Sequence, residues 1–133
     1  GVNEITPLSC RHSERKELKL ERIQKILTSA CKQSLKFTIP KLNPLQKLDE
    51  FVSTNSHARK YIAYCDENAI HLKGAYHGGF DAIIMIGPEG DFTKDEVAMA
   101  AKNEFEIVSL GKSRLRLETA GVFAATIFNL ANQ

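Results

Sequence analysis

The sequence has no tryptophan, only three cysteines, four prolines and eight glycines in 133 residues. Together with 43% hydrophobic and 26% charged residues, this scarcity of Gly and Pro excludes a fibrous or low-complexity chain and describes a globular one. No apolar run approaches the ~18 residues a membrane span needs, and the opening GVNEITPLSC lacks the basic-then-apolar order of a signal peptide. The expected setting is cytoplasmic, with no membrane partner. Cys10, Cys31 and Cys65 are odd in number and hold no CxxC pair, while His12, His57, His71 and His77 show no HExxH spacing. Neither a disulfide framework nor a zinc site has its required spacing, so reduced, buried or inert thiols and no metal are expected. The length suits one domain able to close a core unaided.

Charge is small in total, +2, but unevenly spread. Residues 1–47 hold ten Lys/Arg against four Asp/Glu, and residues 48–133 hold eight against twelve. The front is thus +6 and the rest −4. A basic end attracts an anionic partner such as RNA, although a solvated helix face has the same composition.

Residues 15–34 place Leu18, Ile23, Ile26, Leu27 and Ala30 at spacings of three and four, which predicts an amphipathic helix with Arg15, Lys19, Arg22 and Lys32 on its basic face. Phe37, Thr38 and Ile39 read as extended before Pro40. Pro44 predicts a second short helix over PLQKLDEFV, and HLKGAYHGGF, residues 71–80, reads as a loop. From Arg59 onward short apolar runs, KYIAYC, DAIIMIG and FEIVSLG, read as strands. The run Ile83 to Ile86 does not alternate, as expected of a strand covered on both faces of a parallel sheet. Thr93 and Glu96 form a capping box, with Phe92 and Val97 as a hydrophobic staple. The last stretch, Glu118 to Asn132, predicts a helix apolar nearly all round and therefore buried, in its own core or against a second subunit. The alternation of strand and helix is the α/β pattern.

In an open α/β sheet the ligand site lies at the carboxyl ends of the strands. Two loops there are unusual. Gly87-Pro88-Glu89-Gly90 follows DAIIMI, and residues 110–120, LGKSRLRLETA, run from FEIVSL into the last helix. Neither is a nucleotide motif by rule, since GxGxxG and GxxxxGK are both missing, and GPEG taken alone reads first as a tight turn closing a strand. No GxSxG elbow supports serine chemistry at Ser113. Arg116, between Leu115 and Leu117, is a cation at the edge of an apolar surface, free for a ligand or paired structurally with Glu118 or Glu89.

Taken together, IGPEGDF (86–92), LGKSRLRLETA (110–120) and the front segment, ITPLSCRHSERK followed by ERIQKILTSACKQSLKFTIPKL, resemble the RsmE family of ribosomal RNA methyltransferases of the SPOUT superfamily, over essentially the whole chain. The resemblance implies a SPOUT-type parallel sheet flanked by helices, with a C-terminal deep trefoil knot, and a homodimer. It implies S-adenosyl-L-methionine held by three loops, carried here by Ala63 and Tyr64; Ile86, Gly87, Glu89 and Gly90; and Leu110, Gly111, Ser113, Leu115, Arg116 and Leu117. It also implies methylation of ring nitrogen 3 of a uridine in small-subunit (16S) ribosomal RNA or the assembled small subunit; with RNA as the partner, the basic residues Arg15, Lys19, Arg22 and Arg114 are the expected contacts.

The chemistry fits the residues. Methyl transfer from a sulfonium needs alignment of donor and acceptor more than covalent help. The uridine nitrogen becomes nucleophilic as its proton leaves and charge moves to the carbonyl oxygens, a charge that Arg116 is expected to stabilise as the catalytic residue. Arginine does not deprotonate at working pH and is not the base. Glu89 and Glu118 are candidates to accept a proton or orient Arg116, with structural pairing the simpler role. The chain departs from the family pattern at Asp91, where a second glycine is common; at Lys112-Ser113, in place of Pro-Arg; and at Leu117, in place of threonine. Family members usually carry an N-terminal PUA-like barrel. Residues 1–133 are therefore expected to be a SPOUT domain without it, either an excised catalytic domain or a protein lacking that module. Two alternatives stay open: a SPOUT methyltransferase acting on transfer RNA or another ribosomal site, and a donor-binding RNA-interaction module inactive without its barrel.

Overall fold

The computed structural model describes residues 1–14, 17–54 and 58–133. In chain order the elements are β1 (Glu4–Ile5), β2 (Leu8–Ser9), α1 (Leu20–Gln33), β3 (Lys41–Leu42), β4 (Gln46–Lys47), α2 (Leu48–Thr54) and β5 (Arg59–Ala63), followed by β6 (Ile70–His71), α3 (Leu72–Ala75), β7 (Ala82–Met85), α4 (Lys94–Lys102), β8 (Glu106–Ser109) and α5 (Leu117–Ala131). The expected α/β class is present: four parallel strands in the order β6-β8-β5-β7, flanked by helices. Two further parallel pairs, β1 with β3 and β2 with β4, run residues 4–9 beside residues 41–47. No described helix is long and apolar enough to cross a membrane.

The continuous apolar strands divide their side chains between two cores, because successive residues of a strand point to opposite faces. Ile62, Met85, Ile83 and Ile107 join Leu48 and Val52 of α2 and Val97 and Ala100 of α4 on one face. Tyr61, Val108, Ile84 and Ile86 join Leu72 of α3 and Ala124 and Ile127 of α5 on the other. A three-layer arrangement follows, and the lack of alternation in Ile83–Ile86 has its predicted cause.

Several boundaries differ from expectation. Helix α1 begins at Leu20, so residues 17–19 of the predicted helix are not helical, while residues 15 and 16 lie outside the described residues; its N-cap, Lys19, makes no side-chain cap bond. It ends when Leu35 takes a left-handed φ of 55° and the Lys36 amide donates to the Cys31 carbonyl at 2.8 Å, so Phe37 and Thr38 lie in a bend and are not extended. The second helix starts at Leu48, not at Pro44, because Gln46 and Lys47 are taken up by pairing with Leu8 and Ser9. Residues 71–80 are not a plain loop: His71 caps the short helix α3, whose Leu72 is fully buried. The capping box of α4 forms in both directions, with Glu96 amide to Thr93 hydroxyl at 3.1 Å and Thr93 amide to Glu96 carboxylate at 2.9 Å. Phe92 and Val97 on either side of the cap are both buried in the same core. Helix α5 meets the chain's own core along one side only. Ala120, Ala124 and Ile127 are covered, whereas Val122 and Leu130 are 70% and 62% exposed.

Candidate active site: a cleft where three loops meet

The loops after β5, β7 and β8 converge at the carboxyl edge of the sheet, where parallel α/β proteins place their ligands. Between them lies a cleft of about 520 Å³. Ala63 and Tyr64 line it from the first loop; Ile86, Gly87 and Glu89 from the second; Leu110, Gly111, Ser113, Leu115, Arg116 and Leu117 from the third. Cys65, Pro88, Asp91, Arg114, Glu118 and Ala120 complete the wall. Arg114, Glu118 and Asp91 are singled out in the sequence for other reasons, whereas the side chains of Cys65, Pro88 and Ala120 carry no separate signal there.

All three cysteines carry thiols, with no disulfide among the described residues. Cys10 and Cys31 are buried, but Cys65 is exposed on the cleft wall. Among the described residues no cluster of His, Cys, Asp and Glu could hold a metal ion.

Each loop has a local physical cause. Gly87 passes over the Asp91–Phe92 turn so closely that a Cβ would stand 3.0 Å from the Asp91 carboxylate and 3.2 Å from the Phe92 ring. Gly111 has φ +137°, a left-handed value that favours glycine. Asp91, where the resembled family commonly has glycine, itself sits at φ 63°, and its Oδ1 accepts the Phe92 amide at 2.8 Å. Aspartate tolerates this region because its short side chain bonds locally. Gly90 is not on the cleft wall. It lies against His12, whose Cβ would be 2.9 Å from any added Cβ there.

Arg116 is the N-cap residue of α5, exposed at the cleft, and caps the helix with backbone geometry only. Among the described residues it has no ion pair with Glu118 or Glu89, so the structural pairing open to it in the sequence is not found; the ion pairs present are Lys41–Glu4 and Lys60–Glu104. The first backbone bond of the helix, Ala120 amide to Arg116 carbonyl at 2.8 Å, leaves the amides of residues 117–119 without intrahelical partners at the cleft edge. That helix end favours negative charge. Arg114 is part of the wall, and its Nη2 donates to the Glu89 carbonyl at 3.0 Å, tying the third loop to the second. Lys19 and Arg22 are exposed on the front of the chain and do not line the cleft; Arg15 lies outside the described residues.

A parallel α/β sheet with a cleft at its carboxyl edge, walled by glycine-bearing loops and an arginine at a helix start, is the architecture of a small-molecule-binding α/β domain. The family described as the RNA methyltransferase domain matches residues 1–129, and the chain belongs to it. Its relatives include the ribosomal RNA small subunit methyltransferase E of Mesomycoplasma hyopneumoniae, 35% identical over 95% of this chain and 57% of that protein. A probable rRNA-methyltransferase from Porphyromonas gingivalis superposes with a TM-score of 0.92 at 40% identity, covering 99% of this chain and 57% of the other. A ribosomal RNA small subunit methyltransferase E from Neisseria gonorrhoeae, solved bound to S-adenosyl methionine, gives 0.81 at 35% identity, over 96% of this chain and 53% of the other. The chain thus spans little more than half the length of these proteins.

Proposed function

We propose that residues 1–133 form the catalytic domain of an S-adenosylmethionine-dependent methyltransferase acting on ring nitrogen 3 of a uridine in small-subunit ribosomal RNA, in the cytoplasm. The meeting of three loops in one cleft, in a chain of this family, carries the proposal. The cleft suits the donor. Its volume falls within the ~300–1,000 Å³ usual for small-molecule sites. Ile86, Leu110 and Leu115 offer apolar surface for a flat base, and the Glu89 and Glu118 carboxylates suit a cationic ligand.

When bound, S-adenosylmethionine supplies an activated methyl group. The chain's own residues align the acceptor, exclude water and stabilise charge. As the uracil nitrogen gives up its proton, negative charge develops on the neighbouring carbonyl oxygens. The Arg116 guanidinium and the unpaired first-turn amides of α5 favour that charge. Glu89 and Glu118, on the same wall, are the groups able to take the proton directly or through water.

The C-terminal half is proposed to thread a trefoil knot, supported by the insertion of the late strand β8 between β6 and β5. A homodimer is proposed on α5: Phe123 and Leu130, seven residues apart, share one side of the helix with Val122 beside them, and all three are exposed in a single chain. RNA is proposed to meet the basic front at Lys19 and Arg22 and the cleft rim at Arg114.

The test is calorimetric titration with S-adenosylhomocysteine followed by methyl-site mapping on unmethylated small subunits. Saturable binding and one N3-methylated uridine are expected. No binding at millimolar ligand overturns the donor assignment, and methylation confined to transfer RNA overturns the substrate.

A further inference from the structure

We propose that His12 is a positioning residue for the Gly87–Asp91 loop, holding it in the shape that receives the methyl donor; this rests on the donor site proposed above. His12 comes from the connection between β2 and α1, far in sequence from the cleft. Its Nδ1 lies 3.0 Å from the Gly90 carbonyl oxygen and 3.1 Å from that of Asp91. Carbonyl oxygens only accept, so Nδ1 carries its hydrogen and donates to both.

The segment delivering His12 is itself fastened. The Ser13 amide donates to the Cys10 carbonyl at 3.2 Å, and the Cys10 amide to the Ser13 hydroxyl at 3.0 Å, closing a tight turn. Cys10 is buried in the core that holds Phe92 and Val97. The Arg11 amide donates at 3.3 Å to Glu96, the same carboxylate that closes the α4 capping box. His12 is therefore presented from a turn anchored to the elements that follow the donor loop.

The loop needs such a hold. Asp91 has a left-handed backbone, an unfavourable state for a residue with a side chain. The two carbonyls that His12 bonds belong to Asp91 and the residue before it, so the imidazole fixes the peptide units around the strained position. Glycine at 90 follows from the same contact, since any Cβ there would collide with His12. On the other side of the loop, Gly87, Glu89 and Asp91 form the cleft wall. The loop is thus gripped from behind by His12 while its front receives the ligand.

Two readouts test this on wild type, His12→Ala and His12→Asn, in which the Asn amide can replace the Nδ1 donor. Hydrogen–deuterium exchange reads the loop without ligand: His12→Ala is expected to speed exchange of the Asp91 and Phe92 amides about tenfold, leaving the β5 amides unchanged, and His12→Asn to restore protection. Titration with S-adenosylhomocysteine is expected to weaken about tenfold in His12→Ala, with KM for the methyl donor rising and kcat little changed, and to recover within about twofold in His12→Asn. Unchanged loop exchange with unchanged donor affinity in His12→Ala overturns the proposal. So does a uniform rise in exchange across β5 and β7 that His12→Asn fails to reverse, which marks a merely structural residue. If the wild-type chain binds no S-adenosylhomocysteine, the donor site itself falls, and the exchange data still decide whether His12 holds the loop.

Discussion

Three glycines within six residues should respond to alanine in three different ways. Gly78 has φ +83°, and a Cβ there would stand 2.2 Å from the Ala131 carbonyl oxygen, near the end of α5. Gly79 has nearly the same φ, +81°, but nothing within 4 Å. Gly74, in α3, has neither a positive φ nor a neighbour. The left-handed backbone alone costs an alanine ~1–2 kcal/mol. At Gly78 the α5 terminus must also move away by roughly an ångström, since no flexible side chain is present to yield. That movement pulls Asn132 from its bonds to the Gly79 amide and the Tyr76 hydroxyl, each 2.9 Å, at ~1 kcal/mol apiece. Gly78→Ala should therefore destabilise by ~3–4 kcal/mol and Gly79→Ala by ~1–2 kcal/mol. Gly74→Ala should stabilise by ~0.5–1 kcal/mol through the better helix propensity of alanine. Urea unfolding followed by circular dichroism measures all three, at one protein concentration because a dimer makes stability concentration-dependent. Equal losses for Gly78→Ala and Gly79→Ala would refute the steric reasoning, as backbone conformation would then account for the whole effect.

Arg116→Ala should keep S-adenosylhomocysteine affinity within about twofold while lowering single-turnover methylation about 10²–10³-fold, the usual loss of one transition-state charge partner; full turnover would remove Arg116 from the chemistry. Burial pushes the Tyr61 hydroxyl above its ordinary pKa, and the Glu106 carboxylate adds to the shift. The folded state thus holds this proton after the unfolded state has lost it, so stability should be intact below about pH 10 and fall as pH rises from there toward the folded value. Tyr61→Phe should flatten that alkaline slope in pH-dependent urea titrations, and an unchanged slope would place its source elsewhere. Val122→Glu should shift light-scattering mass from two chains to one with the fold retained, whereas an unchanged dimer would move the interface off α5.

The strands, the capping box and the cleft loops were legible because each is encoded locally. Ile83–Ile86 announces two covered faces by its composition, and Thr93-Lys94-Asp95-Glu96 contains both halves of its own cap. The short strand pairs were not legible. β1, β2, β3 and β4 are two residues each, too short for any period, and exist because residues 4–9 and 41–47 lie side by side. That pairing, decided by chain segments some forty residues apart, also delayed the second helix to Leu48. The partial exposure of α5 in a single chain has the opposite origin. An alanine-rich apolar helix predicts burial, but composition does not say what covers it, and only the Ala120, Ala124 and Ile127 side meets the chain's own core.

The same distinction between local and distant causes separates two neighbouring positions in the loop after β7. A glycine-to-aspartate change in a cleft loop looks disruptive in sequence, because glycine there suggests a backbone that no side chain can adopt. The backbone is indeed left-handed at Asp91, but aspartate is among the few residues that reach this region, and its carboxylate recovers part of the cost by accepting the next amide. At Gly90 no such substitution is available. Its constraint is the body of His12, brought from the far end of the chain, rather than its own φ. Two adjacent positions in one loop are therefore constrained for unrelated reasons, Asp91 by a local backbone conformation that its own side chain eases and Gly90 by steric contact with a distant residue.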